Sequence, residues 1–116
     1  MSKSYKDVMR DTGKGLRALQ KGVPNVMKGF HGMHQAANAE GVLDAKTKEL
    51  LALAIGVATH CDDCIAFHTQ ALVKLGATRD EVLECLGVAA YMGGGPSVMY
   101  SAHAINAFDE LSDATP

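Results

Sequence analysis

Apolar residues recur along this chain at helical spacing almost from its start. Tyr5, Val8, Met9, Leu16 and Leu19 fall on one face, with Lys6, Arg10, Lys14 and Arg17 largely off it. This predicts a first helix, weakened by Gly13 and Gly15 and closed by Gly22. Pro24 suits the start of a second helix, whose stripe of Val26, Phe30, Met33 and Ala37 runs to about Ala39. Glu40-Gly41 reads as a turn. Asp44 is a good N-cap for a third helix, Ala45 to about Ala58. Its first turn is polar, and Leu50 to Ala58 is then apolar on every side. A helix apolar all round is buried all round. So short a chain has too few other helices to cover it, so this helix is expected at a subunit interface.

Thr59 to Asp63 reads as a break. A fourth helix is expected from about Asp62 to Leu75, ended by Gly76 at C′. Thr78-Arg-Asp-Glu81 is a capping box that opens a fifth helix, with Val82, Leu86 and Ala89 as its buried stripe. Gly93-Gly94-Gly95 stops it. Pro96 opens a sixth helix through about Ser112, with Val98, Ala102 and Ile105 along one face. No segment alternates with period two for long enough to be a strand. The pattern predicts an all-α fold: a compact bundle of about six helices in one domain, residues 1–116, oligomeric through the central apolar helix.

Composition narrows the function. The hydrophobic fraction of 47% over 116 residues is that of a globular chain. A net charge of −2 gives no excess of basic charge to attract nucleic acid or acidic lipid. The N-terminal MSKSYKDVMRD mixes charges and lacks the apolar core of a signal peptide. The apolar run Leu50 to Cys61 is far shorter than the roughly 18 residues a membrane span needs. Three cysteines, two of them close together, do not make a secreted disulfide framework. A reducing, cytoplasmic setting is expected, where Cys-x-x-Cys signals catalysis or metal.

The candidate chemistry lies in Glu49 to His68, ELLALAIGVATHCDDCIAFH. Cys61, Cys64 and His68 are i, i+3 and i+7, within a stripe of roughly 60° on a helix. A cysteine near a helix N-terminus gains from the unpaired N–H groups and the dipole, which favour the thiolate. Asp62 and Asp63 act against this as like charges, or simply favour the helix start. His68, one turn after Cys64, is placed to take a proton from a thiol. Glu49 either holds His68 or is a first-turn glutamate beside Lys46 and Lys48. A redox dithiol is one reading of the set. A metal site of Cys61, Cys64 and His68, with Glu49 or His60 as fourth ligand for zinc or iron, is another. Cys85 lies on the Val82–Leu86–Ala89 face and is expected to be core. His31, His34 and His103 are expected at the surface or an interface. The triple glycine lacks the preceding strand and the Gly-Lys-Ser/Thr ending of a phosphate loop.

Glu49-Leu-Leu-x-Leu-Ala-Ile, followed by Cys61-x-x-Cys64-Ile-x-x-His68, resembles the carboxymuconolactone decarboxylase superfamily, and more narrowly its alkylhydroperoxidase D-like branch. Ala89-Ala-Tyr-Met-Gly-Gly-Gly-Pro96 resembles that family's helix–glycine–proline junction. The match runs from about Asp44 to Ala107, and the N-terminal third adds little. The resemblance implies an all-helical homo-oligomer, often a trimer or hexamer. It implies a cofactor-free thiol peroxidase or disulfide reductase with Glu49, Cys61, Cys64 and His68 as a proton relay. Its substrate would be a hydroperoxide, and its partner an external dithiol or a peroxiredoxin. Alkylhydroperoxidase D carries a second histidine immediately before its second cysteine, where this chain has Asp63, so the relay is expected to be shortened. The superfamily's lactone decarboxylases lack the cysteine pair, which argues against that activity here.

Overall fold

The fold is known here from a computed structural model, which describes residues 4–113. Six helices follow one another: α1 (Tyr5–Gly22), α2 (Pro24–Ala37), α3 (Ala45–Ala58), α4 (Asp62–Lys74), α5 (Arg79–Gly93) and α6 (Gly95–Asp113). The starts obey local chemistry. The Ser4 hydroxyl accepts from the Asp7 N–H, the Asp44 carboxylate from Thr47, and Thr78 and Glu81 close a reciprocal capping box. Gly76 and Gly94 both sit at φ +78°, in the left-handed region that suits glycine, one after α4 and one between α5 and α6.

Helices α3, α4, α5 and α6 pack on one another around Leu53, Val57, Ile65, Leu72, Val82 and Ala104, all fully buried. Helix α1 lies across α4 and α6. Glu110 of α6 reaches the start of α1, accepting from the backbone N–H groups of Tyr5 (2.8 Å) and Lys6 (3.3 Å) and from the Ser4 hydroxyl (3.1 Å). One carboxylate thus satisfies orphan donors of a different helix and ties the two together.

Helix α2 packs against α1, and its last residue, Ala37, accepts a hydrogen bond from Lys48 Nζ of α3. Its predicted stripe is solvent-facing in the single chain: Val26, Phe30 and Met33 are each at least 60% exposed. The radius of gyration, 14.5 Å, accordingly exceeds the about 13.4 Å expected for a compact chain of this length. Periodicity locates an apolar face but not what covers it. Helix α2 also ends at Ala37, two positions before the expected Ala39.

The buried side of α6 differs from the one expected. Val98 is 47% exposed and Ala102 is also exposed, whereas Ser97, Ala104, Ala107, Phe108 and Leu111 are buried. The stripe expected in α5 is buried as anticipated. On α3, Leu53, Gly56 and Val57 face the core while Leu51 and Ile55 remain largely exposed. The long uncharged run from Cys85 to Phe108 is cut by the glycine junction of α5 and α6. Among the described residues, no helix is long and apolar enough to cross a membrane.

Candidate active site

The break between α3 and α4 is a tight reversal. The His60 N–H donates to the Val57 carbonyl (3.1 Å) and the Cys61 N–H to the Gly56 carbonyl (2.9 Å), the paired bonds of a Schellman C-cap. The left-handed residue of that cap is usually glycine. Here it is His60, at φ 58°, and its ring stacks on Tyr100 with centroids 4.8 Å apart. Helix α4 begins at once, with Cys61 as its N-cap: the Cys64 N–H donates to Cys61 Sγ at 3.1 Å. The sulfur therefore occupies the place where a serine or aspartate oxygen would normally cap a helix.

Cys61 and Cys64 are joined as a disulfide, with Cα atoms 5.2 Å apart. Gly56 makes room for them: a Cβ there would come within 3.1 Å of Cys64 Cβ. His68 lies on α4 beyond Cys64, and its Nδ1 stands 2.6 Å from Glu49 Oε1. Two sequence expectations for Glu49 stood side by side, and the geometry pairs it with His68. Lys46 is engaged by Glu81 at 2.7 Å, and Lys48 by the carbonyls of Ala37 and Ala39. With Nδ1 directed at the carboxylate, Nε2 is the ring nitrogen left for exchange with a thiol or substrate.

The two aspartates between the cysteines are anchored to α1. The Tyr5 phenol donates to Asp62 Oδ1 at 2.8 Å, and the Thr12 hydroxyl to Asp63 Oδ1 at 2.5 Å. Burial, reinforced by the Asp62 carboxylate, pushes the Tyr5 phenol well above its ordinary value and keeps it a donor. His103 also reaches Asp62, Nδ1 to Oδ1 at 3.3 Å, and packs against Tyr100. The surface position expected for His103 is thus a half-buried one, because α6 presents a different face from the one its apolar stripe suggested.

A cavity of about 890 Å³ opens between α1, α2 and α4. Asp63, Cys64, Phe67 and His68 form its α4 wall, with Thr12, Leu16, Arg17 and Gln20 from α1 and Met27, Phe30, His31 and His34 from α2. Cys64 lines it and Cys61 does not. His31 and His34, expected to be merely solvated or at an interface, stack on each other with centroids 6.2 Å apart on this cavity wall. The α1 and α2 wall residues carried no motif. The signal available for them was the second half of the α1 stripe, where Leu16 is 40% exposed because it faces the cavity rather than the core. Cys85 stands apart, its thiol 3.2 Å from the Leu50 carbonyl, and burial raises its pKa. Among the described residues, no three His, Cys, Asp or Glu side chains are grouped as metal ligands would be.

The comparisons agree with this architecture. The model of the carboxymuconolactone decarboxylase family matches residues 24–107, most of the chain, and begins at α2 rather than at the third helix. An uncharacterized protein of Cupriavidus necator is 38% identical over 97% of this chain and 99% of its own length. A carboxymuconolactone decarboxylase family protein of Legionella pneumophila, solved in its apo form, is 52% identical and superposes with a TM-score of 0.91 over 93% of this chain and 96% of that one. A Thermotoga maritima protein of the same family, described as a candidate for involvement in the antioxidative response, is 34% identical with a TM-score of 0.71 over 76% of this chain and 91% of that one. The six-helix arrangement is that family's all-α fold, and the chain belongs to the carboxymuconolactone decarboxylase family.

Proposed function

We propose that this protein is a thiol-dependent antioxidant oxidoreductase, a peroxidase or disulfide reductase of the alkylhydroperoxidase D type that cycles between a Cys61–Cys64 dithiol and disulfide. One observation carries the reading: Cys64, already paired with Cys61, opens onto a cavity beside a histidine held by a carboxylate. Loss of carbon dioxide from a lactone has no use for such a pair. The antioxidative description of the Thermotoga maritima relative points the same way.

In the reduced protein, His68 takes the Cys64 proton, and Glu49 steadies the imidazolium that results. The Cys64 thiolate attacks a hydroperoxide. An S–O bond forms, the O–O bond breaks, and the departing alkoxide takes its proton from His68. The Cys64 sulfenic acid is then attacked by Cys61, whose thiolate is favoured at the helix N-cap. The disulfide forms and hydroxide leaves as water. An external dithiol, or a partner protein carrying one, returns both cysteines to thiols by exchange through a mixed disulfide.

The test is peroxide-dependent consumption of a dithiol by single serine variants. Cys64→Ser and Cys61→Ser are each expected to abolish turnover, since the cycle needs an attacker and a resolver. Cys85→Ser is expected to keep it. Wild-type rates in both Cys61→Ser and Cys64→Ser would defeat the proposal.

A further inference from the structure

Hydrogen peroxide does not account for the cavity. A water molecule takes about 30 Å³ of liquid volume, so a peroxide molecule needs on the order of 60 Å³. The space between α1, α2 and α4 is about 890 Å³, in the range of sites that enclose a whole small organic ligand. Its walls are divided. Leu16, Met27, Phe30 and Phe67 give it an apolar lining, and Phe30 and Met27 belong to a helix that packs on α1. Arg17 lies on the same wall as Leu16. Among the described residues it makes no ion pair with any carboxylate. Asp63, the acidic residue of the lining, is occupied by the Thr12 hydroxyl.

The spacing joins these features to the reacting sulfur. Thr12 bonds Asp63, the neighbour of Cys64. Arg17 stands about 7.5 Å beyond Thr12 along α1, and its Nη1 leans back to 3.5 Å from where a Cβ on Gly13 would be. One ligand can therefore touch both ends.

From this arrangement, and resting on the redox reading above, we infer that the site takes an amphipathic anionic hydroperoxide. Its apolar chain lies on Leu16, Met27, Phe30 and Phe67, its carboxylate pairs with Arg17, and its peroxide group meets Cys64. A guanidinium and a carboxylate form the strong, bidentate kind of hydrogen-bonded pair, and an unpaired arginine beside an apolar wall matches the two halves of such a molecule. The chemistry is that of the general cycle: the peroxide O–O bond is cleaved, the hydroxy acid is released, and the electrons come from the external dithiol through Cys61 and Cys64.

The experiment uses the full reduced chain with dithiothreitol, supplied with linoleic acid hydroperoxide or its methyl ester. The wild type is expected to favour the acid over the ester by about tenfold or more in kcat/KM, expressed in KM. Arg17→Gln is expected to bring that ratio close to one. Lys28→Gln, an exposed charge on α2 outside the cavity lining, is expected to keep it. Equal use of acid and ester by the wild type, or an undiminished preference in Arg17→Gln, overturns the inference. Calorimetric titration with linoleic acid itself separates this result from the redox reading. Binding that weakens about tenfold in Arg17→Gln upholds the site even if no hydroperoxide is consumed, which would refute the redox proposal alone. No binding of linoleic acid to the wild type overturns the site.

Discussion

Replacing His68 by alanine removes the one imidazole that shares the cavity wall with Cys64 on α4. Its Nδ1 is 2.6 Å from Glu49 Oε1, and the two side chains keep 28% and 15% of their surface exposed. Both are sheltered enough that screening by water takes only part of the interaction. A general base contributes about 100- to 10,000-fold, so His68→Ala is expected to slow alkylation of the reduced protein near neutral pH by an amount in that range. Glu49→Gln leaves the ring in place and removes the charge that steadies it. A hydrogen bond to a charged group is worth about 1.5–3 kcal/mol, and about 1.4 kcal/mol is a factor of ten. The expected defect is therefore about ten- to a hundredfold, smaller than that of His68→Ala and of the same shape. Both defects should fade at alkaline pH, because an unassisted thiol ionises near a reference pKa of about 8.5. The assay is the rate of reaction with iodoacetamide from pH 5 to 10, followed on the Cys85→Ser background so that only the pair reports. Superimposable pH profiles for wild type, His68→Ala and Glu49→Gln would refute the relay. A larger defect in Glu49→Gln than in His68→Ala would make Glu49 the immediate base.

Two further outcomes concern the frame around the site. Glu110 is held below the usual carboxylate range: burial would raise it, but the N–H groups of Tyr5 and Lys6 and the Ser4 hydroxyl outweigh that. A depressed folded pKa stabilises the protein above the unfolded value, about 4.3, and that contribution is lost as pH falls through the folded value. Glu110→Gln is thus expected to cost about 0.5–1 kcal/mol at pH 7, allowing for solvent screening, and less near pH 3. Urea unfolding at both pH values checks it, and an equal gap at the two would count against the assignment. Leu51 and Ile55, 51% and 62% exposed, leave an apolar side of α3 uncovered in the single chain, the kind of surface that serves as a protein contact. The wild type is expected to be a homo-oligomer in light scattering and Leu51→Glu to dissociate or unfold it, whereas a monodisperse wild-type monomer would remove the idea.

Helix starts were readable because they depend on chemistry within four residues. Asp44 and the Thr78–Glu81 box do in the fold what their spacing predicts. The buried face of α6 was not readable for a reason of composition. Small and apolar residues surround it on most sides, so Val98–Ala102–Ile105 and Ala104–Ala107–Phe108–Leu111 are comparable stripes, and only packing against α4 and α5 chooses the second. Periodicity was equally silent at α2, where Val26, Phe30 and Met33 form a stripe that stays exposed in the single chain.

At the site, Cys64 and His68 share the α4 wall of the cavity, one turn apart as their spacing suggested, while Cys61 caps that helix and lies off the lining. The Glu49–His68 bond crosses from α3 to α4, and local spacing could not choose between His68 and the lysines beside Glu49. The cavity was further out of reach, because its walls come from three helices and most of its lining is ordinary apolar surface. Asp63 shows what such a gap costs an argument. From sequence it is a like charge beside a thiol, standing where the resemblance to alkylhydroperoxidase D implies a histidine. In the fold it is also the residue that latches Thr12, and with it α1, against the cysteine helix. Tyr5 on Asp62 makes the matching latch one residue earlier. The two acids read from sequence as like charges beside the thiols are therefore also the ones that hold α1 against α4, with Thr12 and Asp63 both on the cavity lining. Under the proposed cycle, thiolate stabilisation then falls to the helix N-terminus and to His68, which is why the relay variants are expected to have large effects at neutral pH.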